Sequence, residues 1–309
     1  MNVSNNCSTT NLEPHPHIRL IEFALYSFIF FFGALFNVLA FWVFSCKMKK
    51  WTETRVYVMN LVFADFSVIC TLPSMVYLLW NKSARGELCQ FTETMYFINM
   101  LVSIYIVSFI SIDRYIAIKH PLKARAFRSP SKAALLCGLL WVLVIVSATI
   151  QMHHRHADLC FQTYTLPAAL SLLAIFFVFT LPFAILIFCS TEVIRDLKKH
   201  LNTNSPEEKS IHKAVHIIYA NLIVFMICFL PAFLGLLARL TMESIGATCF
   251  LLCVMKNFSS VLRCIATSNC CLDSVCYYFV TREFQEAFLQ PKASTQQSVS
   301  LTEMGLQLL

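Results

Sequence analysis

Seven apolar stretches, each close to the roughly 20 residues a helix needs to cross a ~30 Å hydrocarbon core, decide what this chain can fold into. They run from Ile18 to Ser45, Thr54 to Leu79, Cys89 to Ile118, Ala133 to Met152, Leu166 to Glu192, Val215 to Leu240 and Ala247 to Val280, and are called helices 1 to 7 below. Backbone groups in lipid must be satisfied within their own segment, which a helix achieves; a β-barrel would show short alternating strands instead. Of the 309 residues 58% are hydrophobic and 13% charged, which excludes an ordinary soluble domain. The expected fold is an all-α, seven-transmembrane helix bundle over 18–280, behind a tail at 1–17. A short amphipathic helix 8 at 281–289 follows, carried by Phe279, Phe284 and Phe288, and then a polar tail at 290–309.

Loop charge sets the orientation. One set of connections holds Lys47, Lys49, Lys50 and Arg55, then Lys119, Lys123, Arg125, Arg128 and Lys132, then Arg195, Lys198, Lys199, Lys209 and Lys213. The other set is poor in basic residues, so the first faces the cytoplasm and the N-terminus faces out. The formal net charge of +7 therefore reads as topology and not as a nucleic-acid face. The sequons at Asn2, Asn6 and Asn81 fall outside, where glycans are added, and helix 1 serves as its own signal-anchor.

Most of the 14 Cys lie inside apolar runs, where a thiol is a small buried hydrophobe. Cys89 and Cys160 lie at the outer surface, where a bond would pin the second outer loop to the top of helix 3. Cys7 and Cys249 are a second outer pair, with Cys253 competing for Cys7. No cysteine pairs spaced for zinc occur in the soluble loops.

Polar residues within the apolar runs cost free energy and default to functional hypotheses. Asn37, Asp65, Ser103, Asn269 and Asp273 sit at matching depths on helices 1, 2, 3 and 7. Facing one another, they would form a hydrated pocket that suits an allosteric sodium ion, since oxygen ligands favour that cation.

The ordered set Asn37, "NLVFAD", Cys89, "SIDRYIAIKHP", Trp141, Pro182, "CFLP" and "DSVCY" resembles the rhodopsin-like (class A) G-protein-coupled receptors, from helix 1 through helix 8. "WTETRVYVMNL", "LLWVLVI" and "NCCLDSVCYYFVTREFQEA" are most similar to the kynurenic-acid-responsive receptor, with the lysophosphatidylinositol receptor as near relative. The resemblance implies a receptor and no enzyme. It also implies heterotrimeric G proteins of the Gi/o or Rho-activating class, receptor kinases and arrestin as partners. Asp113, Arg114 and Tyr115 match the inner switch: Asp113 neutralises Arg114 at rest, and an outward swing of helix 6 frees Arg114 for the G protein. Tyr277 matches the inner helix 7 tyrosine, and Arg125 and Arg128 are expected G-protein contacts. Pro182, Ile104 and Phe225 match the packed trio that couples the ligand cavity to helix 6, with Phe229 above the kink at Pro231.

Several positions depart from the family pattern. Phe229 replaces a Trp, Ser274 a Pro and Ser190 a Tyr, and Ile211 stands where an acid often pairs with the helix 3 Arg. A weakly locked resting state with ligand-independent signalling is the expectation. The relative's ligands are acids held by arginines, because a guanidinium grips a carboxylate bidentately. Two such positions read Met100 and Gln151 here, Arg239 remains, and Arg263 is an added cation on helix 7. A small anionic, partly apolar ligand, an acidic metabolite or a lysophospholipid, is expected on Arg239 and Arg263, with Tyr96, Phe97, Met100 and Gln151 lining the cavity. Tyr96 stands where the resemblance places the Asp of amine receptors, which argues against an amine ligand.

Ser294, Thr295, Ser298, Ser300 and Thr302 are candidate phosphorylation sites that would recruit arrestin. A constitutively active or decoy receptor is the alternative reading. A transporter would need repeated, broken helices in two halves, and the chain lacks that symmetry.

Overall fold

The computed structural model of the protein describes residues 16–47, 51–81, 86–120, 122, 124, 128–153, 173–200 and 218–280. Helix 1 runs Pro16–Trp42 and ends in a π-helical turn, Val43–Lys47; helix 2 is Glu53–Asn81, helix 3 Glu87–Lys119 and helix 4 Pro130–His153. Helix 5 joins a π-helical turn, Phe176–Thr180, to Leu181–His200, and helix 6 joins Phe225–Phe229 to Leu230–Ser244. Helix 7 is two pieces, Cys249–Thr267 and Asn269–Val280, where the sequence predicts one. Seven helices are long and apolar enough to cross a membrane, and no strand occurs among the described residues.

Local chemistry explains the inner starts of helices 2 and 4. The Arg55 N–H donates to Thr52 Oγ1 at 3.2 Å, a side-chain cap on helix 2. Ser129 Oγ takes the Lys132 N–H at 3.2 Å, and Pro130 occupies the first helical position, where a missing donor costs nothing. Arg55 is buried, lays its guanidinium 4.1 Å over Trp51 and reaches Ser45 O, which fastens the first inner loop.

Proline accounts for the π-helical turn of helix 5. The Leu181 N–H bonds to Phe176 O, five residues back, so the next donor in that register would be the nitrogen of Pro182, which carries no hydrogen. Phe177 O is thereby orphaned, and the Tyr105 hydroxyl of helix 3 donates to it at 2.8 Å. Tyr105→Phe is expected to cost about 1–3 kcal/mol, the penalty for a carbonyl left unpaired away from water. Thermal unfolding in nanodiscs would read the loss, and an unchanged midpoint would refute the rescue. Helix 6 repeats the register, with Leu230 N–H on Phe225 O immediately before Pro231.

Helix 3 is the hub, packing on helices 2, 4 and 5. One core joins helices 1 to 4 through residues such as Phe44, Leu61, Val102, Ile106 and Leu140. A second joins helices 1, 2 and 7 around Tyr26, Leu72, Met75 and Cys270, and a third joins helices 3, 5 and 6. Trp141 of helix 4 donates its Nε1–H to Asn60 Oδ1 of helix 2 at 2.9 Å, tying the first core laterally. Leu135, Leu139, Val142 and Val146 leave the outer face of helix 4 exposed and apolar, as a lipid-facing wall requires.

The break in helix 7 falls at Ser268, six residues before Ser274, the position the resemblance singles out. The Ser268 hydroxyl donates to Ile265 O at 2.6 Å, and the Cys271 N–H closes a tight turn on Ser268 O at 3.0 Å. A hydroxyl competing for the backbone opens the helix here. Gly235 lets helices 6 and 7 approach closely, since a methyl there would overlap Leu262 Cδ1.

Candidate functional site

At the inner end of helix 3, Asp113 is the centre of a charge network and not merely the neighbour of Arg114. Arg114 Nη2 lies 2.9 Å from Asp113 Oδ2 and also donates to Thr54 Oγ1 of helix 2. Arg128, beyond helix 3, grips the same carboxylate at both oxygens, Nε to Oδ1 at 2.7 Å and Nη2 to Oδ2 at 3.0 Å, and reaches Glu53 of helix 2 at 3.4 Å. Burial works against the Arg128 charge, but the bonds to Asp113 and the attraction of Asp113 and Glu53 outweigh it and hold its pKa above the ordinary value. Asp113 thus lies within ion-pair distance of both Arg114 and Arg128. Arg128, expected as a G-protein contact, is instead engaged within the chain, because a bidentate carboxylate lies within its reach.

A second ionic tie joins helix 3 to helix 5. Lys119 Nζ lies 3.2 Å from Glu192 Oε2 and 2.9 Å from Asp196 Oδ1, while Arg195 takes the other Glu192 oxygen at 2.6 Å. Tyr115 packs between Val193 and Ile218, with its ring 5.5 Å from that of Phe188.

Three of the residues expected in the transmission core share one cluster. Ile104, Phe225 and Phe229 are fully buried in one cluster with Phe179, Leu186 and Cys228. The Phe225 ring stacks on Phe183 at 5.5 Å and 12° and meets Phe229 at 5.6 Å. Pro182 is buried one residue before Phe183.

In the middle of the bundle, Asn99 Nδ2 donates to Asp65 Oδ1 at 3.0 Å, and Asn269 Nδ2 reaches Asp273 Oδ2 at 3.4 Å. Asn37 Nδ2 bonds to Gly33 O at 2.9 Å and to Cys270 O at 2.8 Å, which clamps helix 1 to helix 7. Asp65 Oδ2, Ser103 Oγ, Asn37 Oδ1 and Ser274 Oγ are buried without a hydrogen-bond partner among the described residues. Asn99 is a member that sequence reasoning missed; it lies one helical turn from Ser103 on the same face, which is the signal that could have found it.

The expected cavity lining divides among three directions. Tyr96 packs toward helices 1, 2 and 7, and Met100 toward helices 5 and 6. Phe97 is the correction: it packs on the core of helices 1 to 4, because one residue step turns a side chain about 100° around helix 3. Arg239 and Gln151 are half-buried toward the outer ends of helices 6 and 4, and Arg263 is half-buried deeper in the outer piece of helix 7. Glu22 of helix 1, 1% exposed with Oε2 unbonded, joins this polar group unforeseen, although an acid inside "LIEFALY" was its signal.

Cys89 is buried and disulfide-bonded, and Cys253 is a free thiol, so it is not the partner of Cys7. Asn81 is the exposed last residue of helix 2. Cys7, Cys160, Asn2, Asn6, Arg125, Ile211, helix 8 and the tail sites lie outside the described residues, and of Cys249 and Tyr277 only the backbone is described.

The sequence matches the family described as 7 transmembrane receptor (rhodopsin family) over residues 36–277. The chain belongs to this rhodopsin family of receptors. It is 38% identical to G-protein coupled receptor 35 of Homo sapiens over 285 residues, 92% of this chain and 91% of that one. Lysophosphatidic acid receptor 6 of Gallus gallus is 30% identical, with 90% of this chain and 94% of the relative covered. G-protein coupled receptor 55 of Mus musculus is 31% identical, with 94% of each covered. The protein is thus a multi-pass receptor of the plasma membrane and not an enzyme, and the family implies a G protein and a small-molecule ligand as its partners.

Proposed function

We propose that this rhodopsin-family receptor takes a small anionic, partly apolar ligand at its outer face, with its N-terminus outside, and activates G proteins of the Gi/o or Rho-activating class. The observation that supports the ligand class is the pair of half-buried arginines, Arg263 on helix 7 and Arg239 on helix 6. A guanidinium selects an acid, and the largely apolar side chains of Tyr96 and Met100 expected to line the cavity would select a hydrocarbon or aromatic body. The names of the lysophosphatidic acid receptors among the relatives favour a lysophospholipid within that class.

Asp65, Ser103, Asn269, Asp273 and Asn37 would hold a sodium ion at the centre of the bundle. Their fit is supported by the buried, unbonded oxygens of Asp65, Ser103 and Asn37, and Ser274 adds a further oxygen donor where the family pattern has Pro. Such an ion would offset one of the two negative charges of the helix 2 and helix 7 carboxylates. Receptor kinases acting on Ser294, Thr295, Ser298, Ser300 and Thr302, followed by arrestin, complete the reading, which the polar tail composition supports.

The test is nucleotide exchange on a panel of purified G proteins with receptor in nanodiscs, titrated with acidic metabolites and lysophospholipids. Arg263→Ala is expected to weaken the active ligand roughly tenfold to hundredfold, the range for a lost charge-assisted bond. Unchanged potency would exclude the arginine anchor.

A further inference from the structure

The chain enters helix 4 through "RSPSK", Arg128 to Lys132. Ser129 is followed at once by a proline and then, beyond Ser131, by a lysine, the pattern read by serine kinases that seat a proline directly after the acceptor. Such a pocket offers no partner to a backbone N–H at that position, and proline is the residue that brings none. Ser131 is the more exposed of the two serines but has no proline after it, so it serves as an internal control.

Ser129 stands just before the first helical residue, Pro130, and its Oγ takes the Lys132 N–H at 3.2 Å. Its own hydroxyl hydrogen is donated to no described residue. The side chain is half-buried and lines a cavity of about 380 Å³ together with Glu53, Asp113, Arg128 and Lys132, which leaves room for a phosphoryl group. Two acids face two bases there, so the charged lining is balanced. A phosphoserine adds about −1.5 to −2 charge and must therefore draw a cation away from an acid already present. Arg128 is next to it in sequence and is held by Asp113 through Nε and Nη2. A guanidinium grips a phosphate by the same two-pronged geometry as a carboxylate, and the phosphate carries the greater charge.

We propose that Ser129 is a phosphorylation site for a proline-directed serine kinase and that its phosphate takes Arg128 from Asp113. Ser129 Oγ attacks the γ-phosphorus of ATP; the new O–P bond forms as the bond to ADP breaks, and the hydroxyl proton passes to the base of the kinase. The phosphate stays at the N-terminus of helix 4, where the N–H groups of the first turn favour negative charge. Asp113 keeps Arg114, 2.9 Å away, as its counter-charge, so the modification shifts the switch carboxylate from two cations toward one. The acceptor lies on the side that loop charge assigns to the cytoplasm, where ATP is, and in this it rests on the orientation given under the proposed function.

The experiment incubates full-length receptor, solubilised in maltoside, with a purified cyclin-dependent serine kinase and ATP, and locates the phosphate by mass spectrometry of the peptides. Both faces are open in detergent, so a failure here counts against the site and leaves the orientation untouched. Wild type is expected to carry phosphate on Ser129. Ser129→Asn keeps a helix-capping side chain and should lose the phosphate. Pro130→Ala keeps the acceptor and should slow labelling at least about tenfold, because the N–H it restores finds no partner in the kinase. An unlabelled Ser129, labelling of Ser131 in its place, or an unchanged rate in Pro130→Ala overturns the site. Phosphorus NMR of the labelled receptor then titrates the phosphate, whose second pKa should rise by about one unit in Arg128→Gln, since a guanidinium favours the dianion. Equal values in wild type and Arg128→Gln overturn the capture of Arg128.

Discussion

Arg114→Ala is expected to reduce receptor-driven nucleotide exchange to the level of empty nanodiscs while leaving the thermal midpoint within about 1 kcal/mol of wild type. The reason is the asymmetry of the network. Arg114 supplies one contact to Asp113, at 2.9 Å, whereas Arg128 supplies two. Removing Arg114 therefore leaves the carboxylate neutralised, and the fold loses little. What disappears is the group that the family resemblance assigns to the G protein. The same assay measures ligand-independent signalling, which is the excess of wild-type exchange over Arg114→Ala without ligand. Equal basal rates would remove the expected loose resting state, and wild-type exchange by Arg114→Ala in the presence of ligand would remove Arg114 from the switch.

The second large effect belongs to Phe225. Its side chain is 2% exposed, stacked on Phe183 of helix 5 and in contact with Phe229, inside the cluster that Ile104 joins from helix 3. Phe225→Ala should cost about 3–5 kcal/mol, the transfer and cavity terms for a buried ring. Phe225→Leu should recover more than half, because it refills most of the volume. Thermal unfolding of the three proteins in the same nanodiscs reads the difference; a loss below about 1 kcal/mol for Phe225→Ala would mean that the cluster closes over the gap and that the ring is not the joint between helices 3, 5 and 6.

The seven spans were legible because lipid leaves the backbone no alternative to helices of a certain length, so hydropathy alone carries the information. The Asp113–Arg114 pair, the Ile104–Phe225 contact and Asp65 were legible from motif order. Other features depend on partners distant in sequence. Nothing in "SIYIV" says that Tyr105 will rescue Phe177 O, since the need arises only when Pro182 lies alongside. Arg128 reads as a loop cation until helix 3 brings Asp113 within 2.7 Å of it. Phe97 and Tyr96 are adjacent and equally aromatic, and only the packed neighbours tell which one faces helices 1, 2 and 7. The break in helix 7 was anticipated nowhere near Ser268, because a serine hydroxyl opens a helix only where the surrounding packing lets its carbonyl partner go.

The ties at the inner end also bear on the missing acid of helix 6. The bonds that hold helix 3 here run to helix 2 through Thr54, with Glu53 tied in by way of Arg128, and to helix 5 through Glu192 and Asp196. Each pair is partly exposed and so screened by solvent, and the set restrains the inner ends without freezing them.

Helices 5 and 6 each carry a turn that fits one residue more than an α-helix would place there. Such an insertion rotates everything on one side of it by about 100° relative to an unbroken helix. The direction in which Arg239 leaves helix 6 is thus indexed by Phe225–Phe229, three turns away, as much as by its own position. A chain shortened by one residue at Met226 could keep every side chain of the outer cavity and still turn them all away from it.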